Sequence, residues 1–280
     1  MHTLRLGTRG SALALAQARW IAARLPGDVE LVEIATAGDL RRDAPGDKSR
    51  WTGALEQALV DGDVDVAVHS AKDVPGELAP GTEIVAVPPR ADARDVLVGA
   101  PSLDALARGA RVGTGALRRR AQLLAVRPDL DVVALRGNVD TRLRRLAEGA
   151  ADALVLAAAG LERLGRRDVA LFPLDGPVFV PAPGQGCLAV QARAGARFDA
   201  VDDVDARAAL LAERAVVARF GASCHTPVGV HRGRDGIAGF VGLPDGSEWL
   251  IDAAPDPEAL AERMLSAGAA DLLARAEAAA

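Results

Sequence analysis

The stretch "VAVHSAKDVPGE" (66–77) closes an apolar run with His69, Ser70, Lys72 and Asp73. Polar residues at a strand end are well placed for chemistry, because ligands of open α/β sheets bind beyond the strand ends. Asp73 stands out because the other candidate site residues are mostly cations. A carboxylate adds no affinity for an anion, but it can steady a developing positive charge or move a proton. Neighbouring cations keep it ionised. A Lys72–Asp73 salt bridge is the competing reading, and His69 reads as a structural residue rather than a base. The second group lies in "RFGASCHTPVG" (219–229), where Cys224 sits among small residues before His225 and Pro227. The two cysteines, Cys187 and Cys224, make no disulfide framework. Cys224, His225 and His231 are a poor metal set, and adjacent side chains on an extended chain point apart, so His225 is badly placed to activate the thiol. A free structural cysteine is the plain alternative. A loop thiol facing a cationic cleft, which favours the thiolate, is the chemical one.

Arginines recur where strands give way to helices. "VGTGALRRR" (112–120) puts Arg118, Arg119 and Arg120 in or near a first helical turn. Cations there oppose the positive end of the helix dipole, at about 0.3–1 kcal/mol each when exposed. Free N–H groups together with guanidinium forks make such a helix start suited to an anion. "ALRGNVDTRL" (134–143) places Arg136 at a strand end and Arg142 on the next helix, "AAAGLERLG" (157–165) adds Arg163, and "LGTRGS" (6–11) adds Arg9. Repetition at four such junctions argues against a merely solvated basic face and points to a polyanion, with several carboxylates that the forks can match. Only two lysines occur, Lys48 and Lys72. In so arginine-rich a chain they mark positions where arginine does not serve.

The elements that position these residues alternate between short apolar runs and helical patterns. "TLRLG" (3–7) reads as a strand leading to a helix capped by Ser11, and "VELVEIA" (29–35) as a second strand. Residues 36–51 read as a long loop, of the kind that is usually functional or mobile. After residue 95 the alternation resumes, and "CLAVQAR" (187–193) reads as a strand returning to the first domain. Strands near 228–232, 237–243 and 248–252 precede a helix from about Pro257, which suggests a small α+β part. The expected domains are 1–88 with 187–204, then 92–182, then 208–280. Two α/β domains place a ligand in the cleft between them.

Length and composition bound the rest. At 280 residues, two or three domains are expected, and half of the residues are apolar. A net charge of -5 argues against a general nucleic-acid binder. The first twenty residues lack the features of a signal peptide, and no run of about 18 apolar residues suggests a membrane span. A reduced, cytoplasmic, soluble protein is expected.

Taken in order, "LGTRGSALALAQ", "HSAKDVP", "VGTGALRRRAQL", "LRGNVDTRL", "AAGLERLG", "PAPGQG", "AERA" and "GASCHTPVG" cover nearly the whole chain. Each is weak alone, but together, around one cysteine, the chain resembles the porphobilinogen deaminase (hydroxymethylbilane synthase) family. The resemblance implies two periplasmic-binding-protein-like α/β domains and a small C-terminal α+β domain. It implies a dipyrromethane cofactor bonded to Cys224 through a thioether, onto which four porphobilinogen molecules are deaminated and joined head to tail. Hydrolysis then releases hydroxymethylbilane for tetrapyrrole and haem biosynthesis. Asp73 is expected to stabilise the cationic species formed as ammonia leaves. Arg9, Lys72, Arg118, Arg119, Arg136, Arg142 and Arg163 are expected to bind acetate and propionate groups, with Ser11 lining the pocket. Lys48 matches a mobile-loop lysine and Trp51 that loop's aromatic. No metal is implied. The resemblance also implies a monomer, with possible hand-over of product to uroporphyrinogen-III synthase. The chain departs from the family pattern at Asp47, Ser49, Gly53, Ala54, Gly115, Ala116 and Gln191. The alternatives are a carboxylate-binding module and a non-catalytic tetrapyrrole-binding paralogue. A binding module needs the arginines but neither Asp73 nor Cys224.

Overall fold

A computed structural model describes residues 3–40, 49–222 and 226–279. In chain order the elements begin with β1 (Leu4–Thr8), α1 (Ala12–Ala22), β2 (Val29–Glu33), α2 (Ala37–Leu40), α3 (Ser49–Asp61), β3 (Val66–Ser70) and β4 (Thr82–Ala86). Next come β5 (Asp95–Val98), β6 (Arg111–Gly113), α4 (Leu117–Val126), β7 (Asp131–Val133), α5 (Val139–Ala147), β8 (Ala153–Ala157), α6 (Ala158–Arg163) and β9 (Phe172–Pro173). The chain ends with β10 (Leu188–Arg193), α7 (Val204–Phe220), β11 (Val228–Arg232), β12 (Ile237–Gly242), β13 (Trp249–Ala254), α8 (Pro257–Ser266) and α9 (Ala269–Ala278).

Two compact units divide the chain, residues 1–91 with 186–210, and 92–185 with 211–280. The first holds a five-stranded sheet in the order β2-β1-β3-β10-β4. β1 is parallel to β2 and β3, with Leu6 opposite both Leu31 and Val66. β10 returns antiparallel between β3 and β4, as its sequence suggested, and a register shift falls at Val190/Gln191. α1 forms because Ala14, Gln17, Ala18 and Ile21 fall on one buried stripe. Ser11 caps it, accepting from the Ala14 N–H at 3.3 Å. Leu6, Ala18, Ile21, Val68 and Val190 make one core layer, while Leu55 and Leu59 of α3 cover Ala67 in another. The expected loop at 36–51 is partly helical. Thr36 starts α2, its hydroxyl oxygen accepting from the Asp39 N–H at 3.3 Å. α3 begins at Ser49, within the stretch read as loop.

The second unit holds a five-stranded sheet, β7-β6-β8-β5-β9, and a three-stranded antiparallel sheet, β11-β12-β13. Leu97, Val112, Leu123 and Val155 fill one face of the larger sheet, and Leu135, Leu143, Leu154 and Leu161 the other. α8 and α9 pack Leu260, Met264 and Leu272 with Val230, Ile237 and Val241 of the smaller sheet. Asp256 caps α8, accepting from Ala259 N–H at 2.8 Å, with Pro257 in its first turn. Gly268, at a φ of 100°, makes the break between α8 and α9 that a side chain would resist. The fold is thus the expected α/β class with a small C-terminal α+β part.

Candidate active site

β3 ends at Ser70, and the chain then makes one 3-10 turn, Ala71–Asp73. The Ala71 N–H donates to the Cys187 carbonyl at 3.0 Å. The Ala71 and Val74 side chains are buried with Val87, Cys187 and Ala189. The turn is therefore held from behind while Asp73 lines a pocket of about 60 Å³ with Arg9, Ser11, Gln17, Trp51, His69 and Ser70. Lys72, half-buried on the same turn, is not part of that lining. The pocket forms where β1 meets α1 and β3 ends, the strand-end position expected for a ligand.

Arg9 is already engaged. Its Nε and Nη2 donate to Asp39 at 3.0 and 2.5 Å, and its guanidinium lies over the Trp51 ring at 4.3 Å. Thr36 Oγ1 also donates to Asp39, at 2.7 Å. Burial pushes the Asp39 carboxyl up, but hydrogen bonds from Arg9 and Thr36 and the charge of Arg9 hold it below the usual range. Trp51 rests against the backbone at Gly38, where a methyl group would come 2.2 Å from the ring. Gln17, buried in the apolar stripe of α1, donates to Ser70 Oγ at 3.0 Å. Burial pulls His69 to about 4, against the charges of Glu56 and Asp73 and the amide of Gln191, so its imidazole is neutral at neutral pH.

In the second unit four of the expected arginines fall into two pairs. Arg118 and Arg119, in the first turn of α4, are buried with Asp95 rather than displayed. Arg118 Nη1 lies 2.7 Å from Asp95 Oδ2, and Arg119 Nη2 lies 2.8 Å from Oδ1. Gln122, Gln185 and the carbonyls of Val155 and Val180 complete this shell. Burial drives Asp95 up, and the two guanidinium charges overcome it and hold the carboxyl far below its ordinary value. Arg136 and Arg142 form the other group. A Cβ on Gly115 would lie 3.8 Å from Arg142 Nη2 and 3.9 Å from Arg136 Cγ. Arg136 is exposed, and Arg142 is half-buried with its Nε donating to the Gly137 carbonyl at 2.8 Å. Ala116 caps α4 with no side-chain acceptor, so the Arg142 guanidinium and the stem of Arg136 lie beside Gly115, just ahead of a helix start without a side-chain cap. Arg163 ends α6, half-buried. Cys224 and Lys48 lie outside the described residues.

Sequence reasoning missed Asp39, Gln17 and Asp95. Gln17 carried a signal, as the one polar residue in the buried stripe of α1. Asp39 carried none, because its partner lies thirty positions away. Asp95, an acid opening an apolar strand, was legible as a buried charge but not its two partners.

The chain is thus a two-unit α/β protein, one unit gathering Asp73, Arg9 and Ser11 about one pocket and the other bringing Arg136 and Arg142 beside Gly115. Residues 4–200 match the family model described as "Porphobilinogen deaminase, dipyromethane cofactor binding domain". The chain belongs to the porphobilinogen deaminase family. The porphobilinogen deaminase of Roseiflexus castenholzii is 46% identical over 300 residues, covering 98% of this chain and 99% of that protein. That of Deinococcus deserti is 44% identical over 273 residues, covering 89% of this chain and 88% of its own length. Among solved structures, the BvgS periplasmic VFT2 domain of Bordetella pertussis is similar at 18% identity and a TM-score of 0.39, covering 69% of this chain and 82% of that one.

Proposed function

We propose that this chain is a transferase that deaminates porphobilinogen and condenses four molecules of it head to tail, then releases hydroxymethylbilane by hydrolysis. The observation that carries this reading is the placing of Asp73 in one pocket with Arg9, Ser11 and Gln17. As ammonia leaves the aminomethyl group, the pyrrole gains positive charge. A fixed carboxylate beside it lowers the energy of that state more than the energy of neutral substrate, which is the condition for catalysis. Arg9 supplies a fork for a ring carboxylate, but only in exchange for Asp39. Trp51 gives that guanidinium an aromatic cover and excludes water from one side.

The residues fit a dipyrromethane bearing acetate and propionate groups. Arg136 and Arg142 beside Gly115 offer bidentate donors to carboxylates. Gly115 and Ala116 bring no hydroxyl, so side-chain contacts there fall to the arginines alone. Arg118 and Arg119 serve that site from behind, through the buried Asp95 pair that sets the course of α4. Arg163, Lys72 and Lys48 complete the set of cations we assign to ligand carboxylates, and Cys224 is the attachment point. When bound, the cofactor supplies the nucleophilic pyrrole carbon to which substrate is joined.

No helix among the described residues is long and apolar enough to cross a membrane. We place the enzyme in the cytoplasm as a monomer, passing its product to uroporphyrinogen-III synthase. The test is Asp73→Asn, which keeps the side-chain shape and removes the charge. Turnover falls by roughly 100-fold or more, with Tm and porphobilinogen binding retained. Unchanged turnover removes Asp73 from the mechanism and favours a binding role.

A further inference from the structure

Behind the Asp73 pocket lies a buried polar cluster that the mechanism above does not use. Thr52 and Glu56 stand one turn apart on α3 and so share a face. That face packs on the sheet at Ala67. His69 of β3 lies on the same side of the sheet as Ala67, and Gln191 of β10, directly opposite Ala67, is the diagonal neighbour of His69. All four residues are buried, with Thr52 at 1%, Glu56 at 6%, His69 at 5% and Gln191 at 0% exposure. Gln191 Nε2 donates to Glu56 Oε1 and to Thr82 Oγ1, each at 2.9 Å. Glu56 only accepts, so the amide nitrogen must face it, and the amide oxygen is left over. That oxygen, Thr52 Oγ1 and His69 Nε2 make no hydrogen bond of full geometry among the described residues, although the Gln191 amide bears on the His69 ring.

Three unpaired polar atoms in one buried cluster would each carry an uncompensated desolvation cost if dry. A water bridging them removes that cost, and a buried water typically has two to four such partners. The hydroxyl and the imidazole nitrogen can each donate or accept, while the amide oxygen accepts, so one water can serve all three. Thr52 and His69 also line the Asp73 pocket. The cluster therefore connects that pocket to the carboxylate of Glu56.

We propose that His69, Thr52 and Gln191 hold a buried water, and that His69 passes through it to Glu56 the proton released when two pyrroles are joined. This rests on the proposed function. Joining the rings breaks an α C–H bond of one and the C–N bond of the other's aminomethyl group, which leaves from its protonated, ammonium form. The new C–C bond takes the C–H electron pair, ammonia leaves with the C–N pair, and one proton is freed. A neutral imidazole can take that proton on one ring nitrogen while the other gives its proton to the water, and Glu56 accepts from the water. The burial that holds His69 near 4 keeps it neutral and free to act this way. His69 is thus a relay residue, whereas Asp73 answers the charge on the substrate.

The test pairs turnover with structure. His69→Gln keeps a hydrogen-bonding side chain but cannot relay. It lowers kcat by roughly 100-fold, leaves KM unchanged and raises the solvent deuterium isotope effect. Thr52→Val removes the hydroxyl at constant volume and lowers kcat in the same way, and Thr52→Ser recovers most of the loss. Should the His69 variant fail to fold, the Thr52 pair carries the kinetic test. Unchanged kcat and isotope effect in Thr52→Val overturn the relay, while loss of activity in Asp73→Asn alone leaves the proposed function standing. In a high-resolution crystal structure of the full chain, an ordered water joins His69 Nε2 and Thr52 Oγ1. A dry cluster overturns the proposal whatever the chain does with porphobilinogen.

Discussion

Replacing Asp95 with asparagine leaves the guanidinium groups of Arg118 and Arg119 buried with no carboxylate. Both arginines are within 2.8 Å of Asp95 in the native protein, and all three side chains are 7% exposed or less. Solvent therefore screens the pair little, and water cannot take the place of the lost charge. Breaking a buried pair from one side costs about 3–5 kcal/mol. At roughly 2–4 °C per kcal/mol, Tm falls by about 6–20 °C, read by calorimetry at pH 7. Exchanging all three residues for apolar ones of similar volume (Asp95→Leu, Arg118→Met, Arg119→Met) recovers most of the loss, because no buried charge remains. The pH dependence follows from the same pair. The folded Asp95 carboxyl titrates far below its unfolded value of about 3.9. Its contribution is fully present above that unfolded value and is lost as pH falls below it toward the depressed folded value. In Asp95→Asn the acid limb of the stability curve is correspondingly shallower. A Tm within about 2 °C of the native protein would show that the pair does not hold α4.

Asp39 competes with substrate for Arg9, so Asp39→Asn frees the fork. A charge-assisted hydrogen bond is worth about 1.5–3 kcal/mol, and this pair is partly exposed, so the lower end applies. KM for porphobilinogen falls by roughly tenfold in steady-state assays, and a rise in KM would show that Asp39 instead positions Arg9 for binding. Gly38→Ala places a methyl group against the Trp51 ring. The ring leaves Arg9, which changes the tryptophan emission spectrum and raises KM; an unaltered spectrum would contradict the packing.

The strands and helices were legible wherever a local pattern governs them. β1, α1, β3 and β10 follow from apolar alternation, a Ser11 cap and a buried stripe. Residues 36–51 read as loop because the local Thr36 cap of α2 is joined by a contact no local pattern shows: Asp39 is held by Arg9, thirty positions away. The arginines show the same limit. "ALRRR" announces three cations at a helix start, but not that Arg118 and Arg119 turn inward to an acid more than twenty residues earlier. Asp73 was legible because it is an acid among cations at a strand end. His69, by contrast, reads as structural in sequence. Its unpaired nitrogen depends on Gln191, a residue brought alongside by the returning strand β10.

The most direct test of the account is mass spectrometry of the intact chain, with peptide mapping, before and after brief incubation with porphobilinogen. The expected result is an excess equal to two linked porphobilinogen-derived rings on the peptide containing Cys224, a ladder of further rings after incubation, and no change on the peptide containing Cys187. An unmodified Cys224 peptide that stays unmodified with porphobilinogen would contradict it and leave only a ligand-binding role for the arginines.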